Sequence, residues 1–203
     1  MELVKNTNFA HIDTFTRYLF KYNLMHKLSI LEMNRLTAEE FHKAKKIPLI
    51  VVLDNVRSMY NVGSILRTAD GFRIKQVCLC GITGTPPHQE IHKTALGAED
   101  SVDWKYYKST LECIEKLRKD NYTIVAVEQV EGSQNMMEWN DVQPLAVIFG
   151  NEVKGISQEI IDVADYCLEI PQIGTKHSFN VSCTAAMVMW QYFKNVEKYV
   201  NNL

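Results

Sequence analysis

The chain has 203 residues, of which 46% are hydrophobic, and its 22 lysine and arginine residues face 24 aspartate and glutamate residues. Length and composition predict one domain with a full hydrophobic core, and they exclude a broadly disordered or fibrous chain. The net charge of −2 gives no overall attraction to a polyanion, so any surface for nucleic acid has to be a local patch.

Residues 1–47 are polar and helix-prone, and we expect them to form a helical arm ahead of a main domain at residues 48–203. Within the arm, the sequence Thr37-Ala38-Glu39-Glu40 is a capping box that opens a short helix, and Pro48 limits how far that helix can run. The longest apolar runs of the chain are too short to span a membrane, and the first residues lack the apolar segment of a signal peptide.

From residue 49 onward, short apolar segments alternate with segments of helical periodicity. Such alternation predicts an α/β domain whose parallel sheet is covered by helices on both faces. The predicted strands are residues 49–54, 76–80, 122–127, 145–150 and 166–170, and the predicted helices are residues 61–72, 109–120, 157–163 and one from about residue 181.

Three polar segments begin where a predicted strand ends, at residues 54–70, 149–157 and 170–182. Ligands of parallel α/β folds gather at the carboxyl ends of the strands, so these segments are the candidates for a site. In the first segment, we expect Asn61 to cap the helix. We also expect Gly63, one turn before Arg67, to leave the helix backbone uncovered by side chains. Taken singly, each segment has a plain structural explanation: a capped helix with a surface arginine, a glycine turn, and a second capped helix.

Other chemical interpretations of the sequence are weaker. The spacing of Gly150 and Gly155 fits a P-loop, but Ile156 stands where the phosphate-binding lysine is required, so a nucleotide hydrolase is disfavoured. His88 and His92 lie four residues apart and could face one metal ion, but no third ligand is evident and no metal site is predicted. Five cysteines without framework spacing indicate reduced thiols and favour a cytoplasmic protein.

Taken together, the three polar segments resemble the motifs of a known family. They read NVGSILRTAD at 61–70, FGNEVKG at 149–155 and IPQIGTKHSFNVS at 170–182. These stretches resemble, in order, the three motifs of the SpoU/TrmH branch of the SPOUT superfamily, and the resemblance runs from about residue 48 to residue 194. It implies an RNA (ribose-2'-O-)-methyltransferase that transfers a methyl group from S-adenosylmethionine to a 2'-hydroxyl of tRNA or rRNA. It also implies a C-terminal trefoil knot and a homodimer.

The resemblance assigns catalytic roles to five residues. Arg67 is implied as the central catalytic residue, and Asn61 would orient Arg67 or the ribose. An arginine keeps its proton in proteins, so we expect Arg67 to grip a phosphate and to stabilise developing alkoxide charge. Glu152 would hold that guanidinium or accept the proton, and Ser178 and Asn180 would complete the polar surroundings.

The cofactor contacts that the resemblance implies are Gly150, Ile170 and Phe179, through backbone and apolar packing. Phe179 stands where most relatives carry leucine. The alternative function is a non-catalytic RNA-binding module that retains the knotted fold. We expect RNA contacts from the positive side chains Lys43, Lys45, Lys46, Arg57, Arg67, Arg73, Lys93 and Lys176. The last helix carries the candidate dimer residues Met187, Trp190 and Phe193.

Overall fold

The computed structural model describes residues 26–200. The chain divides into two compact units, and the unit that carries the sheet begins at Ala38. It starts earlier than the predicted boundary at residue 48, because Phe41 of the first described helix is 4% exposed and belongs to the hydrophobic core. Residues 1–25 of the predicted arm lie outside the described residues.

Seven strands and seven helices make up the described part of this unit. The strands are β1 (Ile47–Asp54), β2 (Ile74–Cys80), β3 (Trp104–Tyr107), β4 (Thr123–Val127), β5 (Gln134–Asn135), β6 (Leu145–Phe149) and β7 (Tyr166–Glu169). The helices are α1 (Ala38–Lys43), α2 (Met59–Gly71), α3 (Gln89–Ala95), α4 (Ala98–Ser101), α5 (Thr110–Lys119), α6 (Gln158–Val163) and α7 (Val181–Val200). Each predicted strand and helix is present. The short elements α3, α4, β3 and β5 have no counterpart in the predictions, because their sequences lack a clear apolar period.

All seven strands lie in one sheet in the order β3-β2-β1-β6-β4-β7-β5, and every pairing is parallel. This confirms the predicted parallel α/β fold. Strand β1 pairs with β6 so that Leu53 lies opposite Phe149, and β4 pairs with β7 so that Val127 lies opposite Leu168. The carboxyl ends of β1, β6, β4 and β7 therefore meet along one edge, which brings the three polar segments towards each other.

Successive residues of β1 point into two separate hydrophobic clusters. Leu49 and Leu53 pack with helices α2, α3 and α7, whereas Ile50 and Val52 pack with helices α5 and α6. Because side chains alternate between the faces of a strand, both faces of the sheet are buried. The structure thus confirms the predicted helical layers on both sides.

Helices α2 and α3 pack closely together at Gly63, which is buried. A Cβ atom at this position would lie 2.2 Å from Oγ1 of Thr94 and 2.3 Å from the carbonyl oxygen of Ile91. The hydroxyl of Thr94 donates to the carbonyl oxygen of Tyr60 across the same contact, at 3.0 Å. The expectation of open backbone at Gly63 is therefore wrong, because α3, which the predictions lack, covers it.

Helix α7 returns across the sheet and packs against β1. Tyr192 is fully buried, and its hydroxyl donates to the carbonyl oxygen of Gln143 at 2.8 Å. The side chains of α7 are described as far as residue 197, and among them Trp190 remains 55% exposed. Within residues 26–200, no helix, α7 included, is long and apolar enough to cross a membrane.

Candidate active site

A cavity of about 550 Å³ opens at the carboxyl ends of β4, β6 and β7. The loop after β6, residues 150–156, forms one wall, and the loop between β7 and α7, residues 171–180, contributes to another. Six of the predicted site residues line it: Gly150, Glu152, Ile170, Ser178, Phe179 and Asn180. Residues that are far apart in the sequence therefore share one concave surface, as expected for ligands of parallel α/β folds.

The carboxylate of Glu152 holds the start of helix α2. It accepts hydrogen bonds from the backbone amides of Arg57 at 2.9 Å and Ser58 at 3.0 Å, and from Nδ2 of Asn61 at 3.0 Å. The first amides of a helix have no partner within the helix, and a negative charge is favourable there. Ser58 is the N-cap, because its hydroxyl accepts from the amide of Asn61 at 3.3 Å. The prediction that Asn61 caps this helix is therefore wrong.

These hydrogen bonds determine the protonation of Glu152. Partial burial raises the pKa of the carboxyl group, but the hydrogen bonds from the amides of Arg57 and Ser58 and from the Asn61 side chain outweigh it, and the pKa lies below its ordinary value. An ionised carboxylate with a lowered pKa is a weak base at neutral pH. The geometry thus favours a positioning role for Glu152 over the predicted role of proton acceptor.

Asn180 joins the third polar segment to the first. Its Nδ2 donates to Oδ1 of Asn61 at 3.2 Å, and its Oδ1 accepts from the backbone amides of Ser182 at 2.8 Å and Cys183 at 3.4 Å. The sequence predicts Ser178 or Asn180 as the cap of α7; the structure shows that Asn180 is the cap, and Asn180 also contacts α2. A hydrogen-bonded chain from Glu152 through Asn61 to Asn180 connects all three segments.

Arg67 lies apart from this chain of hydrogen bonds. It follows Asn61 on α2 at a distance along the axis of about 9 Å, given the rise of an α-helix. Its side chain is exposed, does not line the cavity, and forms no hydrogen bond or ion pair with any residue of the described range 26–200. The predicted contacts of Arg67 with Asn61 and Glu152 are absent from this part of the chain.

Among the residues of the cavity wall that were not predicted as site residues, two bind both loops of the cavity. Glu128 and Gln129 follow β4 directly and bind both loops: a carboxylate oxygen of Glu128 accepts from the amide of Ile156 at 3.0 Å, and Nε2 of Gln129 donates to the carbonyl oxygen of His177 at 2.7 Å. The end of the predicted strand 122–127 is one of the strand ends at which the sequence predicts ligand-binding residues, but no motif marks Glu128 and Gln129 themselves.

The cavity suits a nucleoside-sized organic cofactor. Its volume falls within the range of about 300–1,000 Å³ that is usual for such sites. Ile170 and Phe179 offer apolar surface for a flat base, and the carboxylate of Glu169 offers an acceptor for hydroxyl or ammonium groups. Gly150 packs so closely under its own loop that a Cβ atom would lie 2.5 Å from the carbonyl carbon of Gly155.

The histidine pair of the sequence has a structural explanation. Nδ1 of His92 lies 2.5 Å from a carboxylate oxygen of Glu99, and the ring of His88 accepts from the amide of Glu90 at the start of α3. In the part of the chain that the structure describes, no group of three potential ligands could hold a metal ion.

A parallel α/β sheet with such a cavity at its strand ends defines a cofactor-binding α/β protein. The chain belongs to the SpoU rRNA Methylase family, whose sequence profile matches residues 48–190. This match confirms the resemblance that the three motifs carry.

Individual relatives agree with this assignment. The chain is 29% identical over 160 residues to the tRNA (guanosine(18)-2'-O)-methyltransferase of Thermus thermophilus. The aligned region covers 79% of this chain and 81% of the relative. The crystal structure of the A. aeolicus TrmH/SpoU tRNA modifying enzyme matches with a TM-score of 0.71 at 22% identity, over 80% of this chain and 83% of that one. The SpoU methyltransferase AviRb from Streptomyces viridochromogenes, crystallised with AdoMet, matches with a TM-score of 0.68 at 21% identity. This match spans 76% of our chain and 63% of AviRb. At these identities the two crystal structures show the fold alone.

Proposed function

We propose that this protein transfers a methyl group from S-adenosylmethionine to a ribose 2'-hydroxyl of tRNA or rRNA. The observation that carries the proposal is the hydrogen-bonded chain of Glu152, Asn61 and Asn180, which joins the three family motifs at one cavity. Membership of the family supports the reaction class, since the matched region spans residues 48–190 and includes every motif.

S-adenosylmethionine supplies an electrophilic methyl group on a sulfonium sulfur. Ile170 and Phe179 would hold its adenine by apolar packing, and backbone groups around Gly150 would contact its ribose and amino-acid portion. The carboxylate of Glu152 and the side-chain amide of Asn180 are already engaged within the protein, because Glu152 binds the start of α2 and Asn180 binds Asn61 and the start of α7. Their role is to fix the position of α2 relative to the cavity.

Arg67 is free to bind the substrate. Its guanidinium has five N–H donors that no other group within residues 26–200 occupies. It would bind the phosphate next to the target ribose and stabilise the negative charge that develops on the 2'-oxygen. Ser178, which is exposed on the cavity wall, would contact the ribose.

The exposed aromatic cluster on α2 and α7 supports a homodimer. The ring of Phe72 lies 6.0 Å from that of Trp190 and 5.4 Å from that of Phe193, between centroids. Trp190 is 55% exposed, although large aromatic side chains are usually buried. Such a patch is typical of a protein interface. Met187, half-buried on α7, would join this interface.

We further propose a C-terminal trefoil knot, which would involve the loop 171–180 and helix α7. Lys43, Lys45 and Lys46, which closely follow the start of the sheet unit in sequence, would contribute to RNA binding. The reduced cysteines support a cytoplasmic location, where the RNA substrates are found.

The test is methyl transfer from tritiated S-adenosylmethionine to total tRNA and to ribosomal RNA, followed by digestion to nucleosides. We expect label in a 2'-O-methylated nucleoside from one of the two RNA classes. Binding of RNA with steep salt dependence but without transfer of label would instead establish a non-catalytic RNA-binding module. Label on a base rather than on a ribose would contradict the proposed reaction.

A further inference from the structure

Two residues at the end of β4, Glu128 and Gln129, contact both loops of the cavity. One carboxylate oxygen of Glu128 accepts from the backbone amide of Ile156 at 3.0 Å, and the other accepts from the amide of Gln129 at 2.9 Å. Both oxygens are therefore used within the protein. Glu128 fixes the end of the loop 150–156 to the sheet.

The backbone of this loop is shaped to receive the carboxylate. Gly155 has a φ angle of +65°, and a Cβ atom at this position would lie 2.4 Å from an oxygen of Glu128. Only glycine adopts this conformation without strain and leaves room for the oxygen. Gly155 also exchanges two backbone hydrogen bonds with Asn151, at 2.9 and 3.2 Å, which close the turn of the loop.

Gln129 holds the second loop by a single hydrogen bond. Its Nε2 donates to the carbonyl oxygen of His177 at 2.7 Å. Within the described residues, this is the only hydrogen bond that the loop residues 171–179 form, whether by backbone or side chain. In the described part of the chain, Gln129 is therefore the one side chain that hydrogen-bonds the stretch carrying Ser178 and Phe179, which Asn180 anchors at its end.

We propose that Glu128 and Gln129 are positioning residues that set the affinity of the protein for its cofactor. The inference rests on the proposed function, because it takes the cavity as the site of S-adenosylmethionine. Neither residue contacts Arg67 or Asn61, so the effect falls on cofactor binding more than on the chemical step. The pair extends the site from three segments of the chain to four.

The chemistry of Gln129 allows a sharp set of variants. Gln129→Glu keeps the shape of the side chain but replaces the donor by a carboxylate, which repels the carbonyl oxygen of His177. Gln129→Lys restores a donor on a side chain that is long enough to reach. The matched control is Gln134→Glu, because Gln134 is an exposed glutamine of the short strand β5 that does not line the cavity.

Glu128 can be tested independently. Glu128→Gln keeps the shape and one acceptor oxygen but directs an NH₂ group at one of the two backbone amides. One hydrogen bond to the loop 150–156 or to Gln129 is then lost. The control is Glu159→Gln, an exposed glutamate of α6 outside the cavity.

The experiment measures the dissociation constant of S-adenosylmethionine by calorimetry, and KM and kcat with RNA at saturation. We expect Gln129→Glu and Glu128→Gln to raise the dissociation constant and KM by about 10-fold, with kcat reduced less, because each loses one hydrogen bond to a loop of the site. Gln129→Lys recovers most of the affinity, and both controls bind like the wild type. The thermal unfolding midpoint shows whether the carboxylate of Gln129→Glu disturbs folding. If it does, Gln129→Ala removes the same hydrogen bond and should raise the dissociation constant in the same way.

The outcomes separate the two proposals. If the wild-type protein binds no S-adenosylmethionine, the proposed function fails. If the wild type binds it and all variants at positions 128 and 129 bind it as tightly as the wild type does, the proposed function stands and the positioning role is wrong. A fall in kcat with an unchanged KM also overturns the inference, since it would assign the pair to the chemical step.

Discussion

The two ends of helix α2 differ in what their polar side chains do. At the amino end, Asn61 is bound on both sides, by Glu152 at 3.0 Å and by Asn180 at 3.2 Å. Towards the other end, Arg67 has no hydrogen-bond or ion-pair partner in residues 26–200. A side chain whose polar atoms are hydrogen-bonded to its own protein is suited to holding the site in position, whereas an unpaired arginine has all its donors available for a substrate. The comparison separates the residues that hold the site together from Arg67, the residue that we propose contacts RNA.

The largest effect is expected from Arg67. Arg67→Ala should lower methyl transfer about 100- to 1,000-fold, which is the usual cost of removing a group that stabilises transition-state charge. Because Arg67 does not line the cavity, the dissociation constant of S-adenosylmethionine should stay within about twofold of the wild type. The measurement is single-turnover transfer of labelled methyl, with calorimetry for the cofactor.

Arg67→Lys is the matched control for this experiment. It keeps the positive charge but loses the planar pair of donors that binds a phosphate by two hydrogen bonds. We expect an intermediate rate. Near wild-type turnover of the alanine variant would show that α2 carries no catalytic group at this end, and the contrast between its two ends would disappear.

The middle of α2 can be tested through its two glycines. Gly63→Ala places a methyl group against the backbone carbonyl of Ile91, which cannot move without a shift of α3, so the free energy of unfolding should fall by about 1–3 kcal/mol. Gly71→Ala is the control, because a Cβ atom there would meet no atom outside its own stretch of helix within 4 Å; the substitution should stabilise the protein by up to about 0.5 kcal/mol. Urea denaturation measures both. Equal stabilities would mean that α2 and α3 do not pack as closely as described.

The polar segments that follow buried strands predicted residues that the structure brings to one cavity. The predictions failed where two neighbouring residues could play the same local role. The strands and their parallel direction follow from apolar runs such as 49–53, because only a sheet covered by helices on both faces buries such runs completely. The cap of α2 was assigned to Asn61 instead of Ser58, since both are good caps and lie three residues apart.

The tertiary partners of polar residues were harder to predict. Nothing in the local sequence shows that the Glu152 carboxylate is taken by the amides of residues 57 and 58, more than ninety positions away along the chain. The same holds for α3 above Gly63, since a seven-residue helix carries too short a period to recognise. Such contacts are set by the way in which the sheet brings separate loops together.

A smaller effect is expected from Glu152. Glu152→Gln keeps the shape and one acceptor oxygen but weakens the hold on the amides of Arg57 and Ser58, so kcat should fall about 10-fold. If Glu152 were the proton acceptor, the loss would exceed about 100-fold, and the acidic limb that its protonation causes in the wild type would be absent from the variant. Steady-state kinetics between about pH 4 and pH 9 therefore distinguish a positioning carboxylate from a general base.

The smallest effect concerns stability at acid pH. Because the pKa of Glu152 in the folded protein lies below its ordinary value of 4.5, the carboxylate contributes stability above that pH and loses the contribution as the pH falls through the folded pKa. The wild type should therefore lose stability more steeply than Glu152→Gln as the pH falls below about 4.5, and the two slopes should agree at neutral pH. Other carboxylates titrate in the same range, so the informative quantity is the difference between the two proteins in urea denaturation at each pH. Parallel curves throughout would mean that the amides of Arg57 and Ser58 do not bind a charged Glu152. The amino end of α2 would then be as free of partners as the end that carries Arg67.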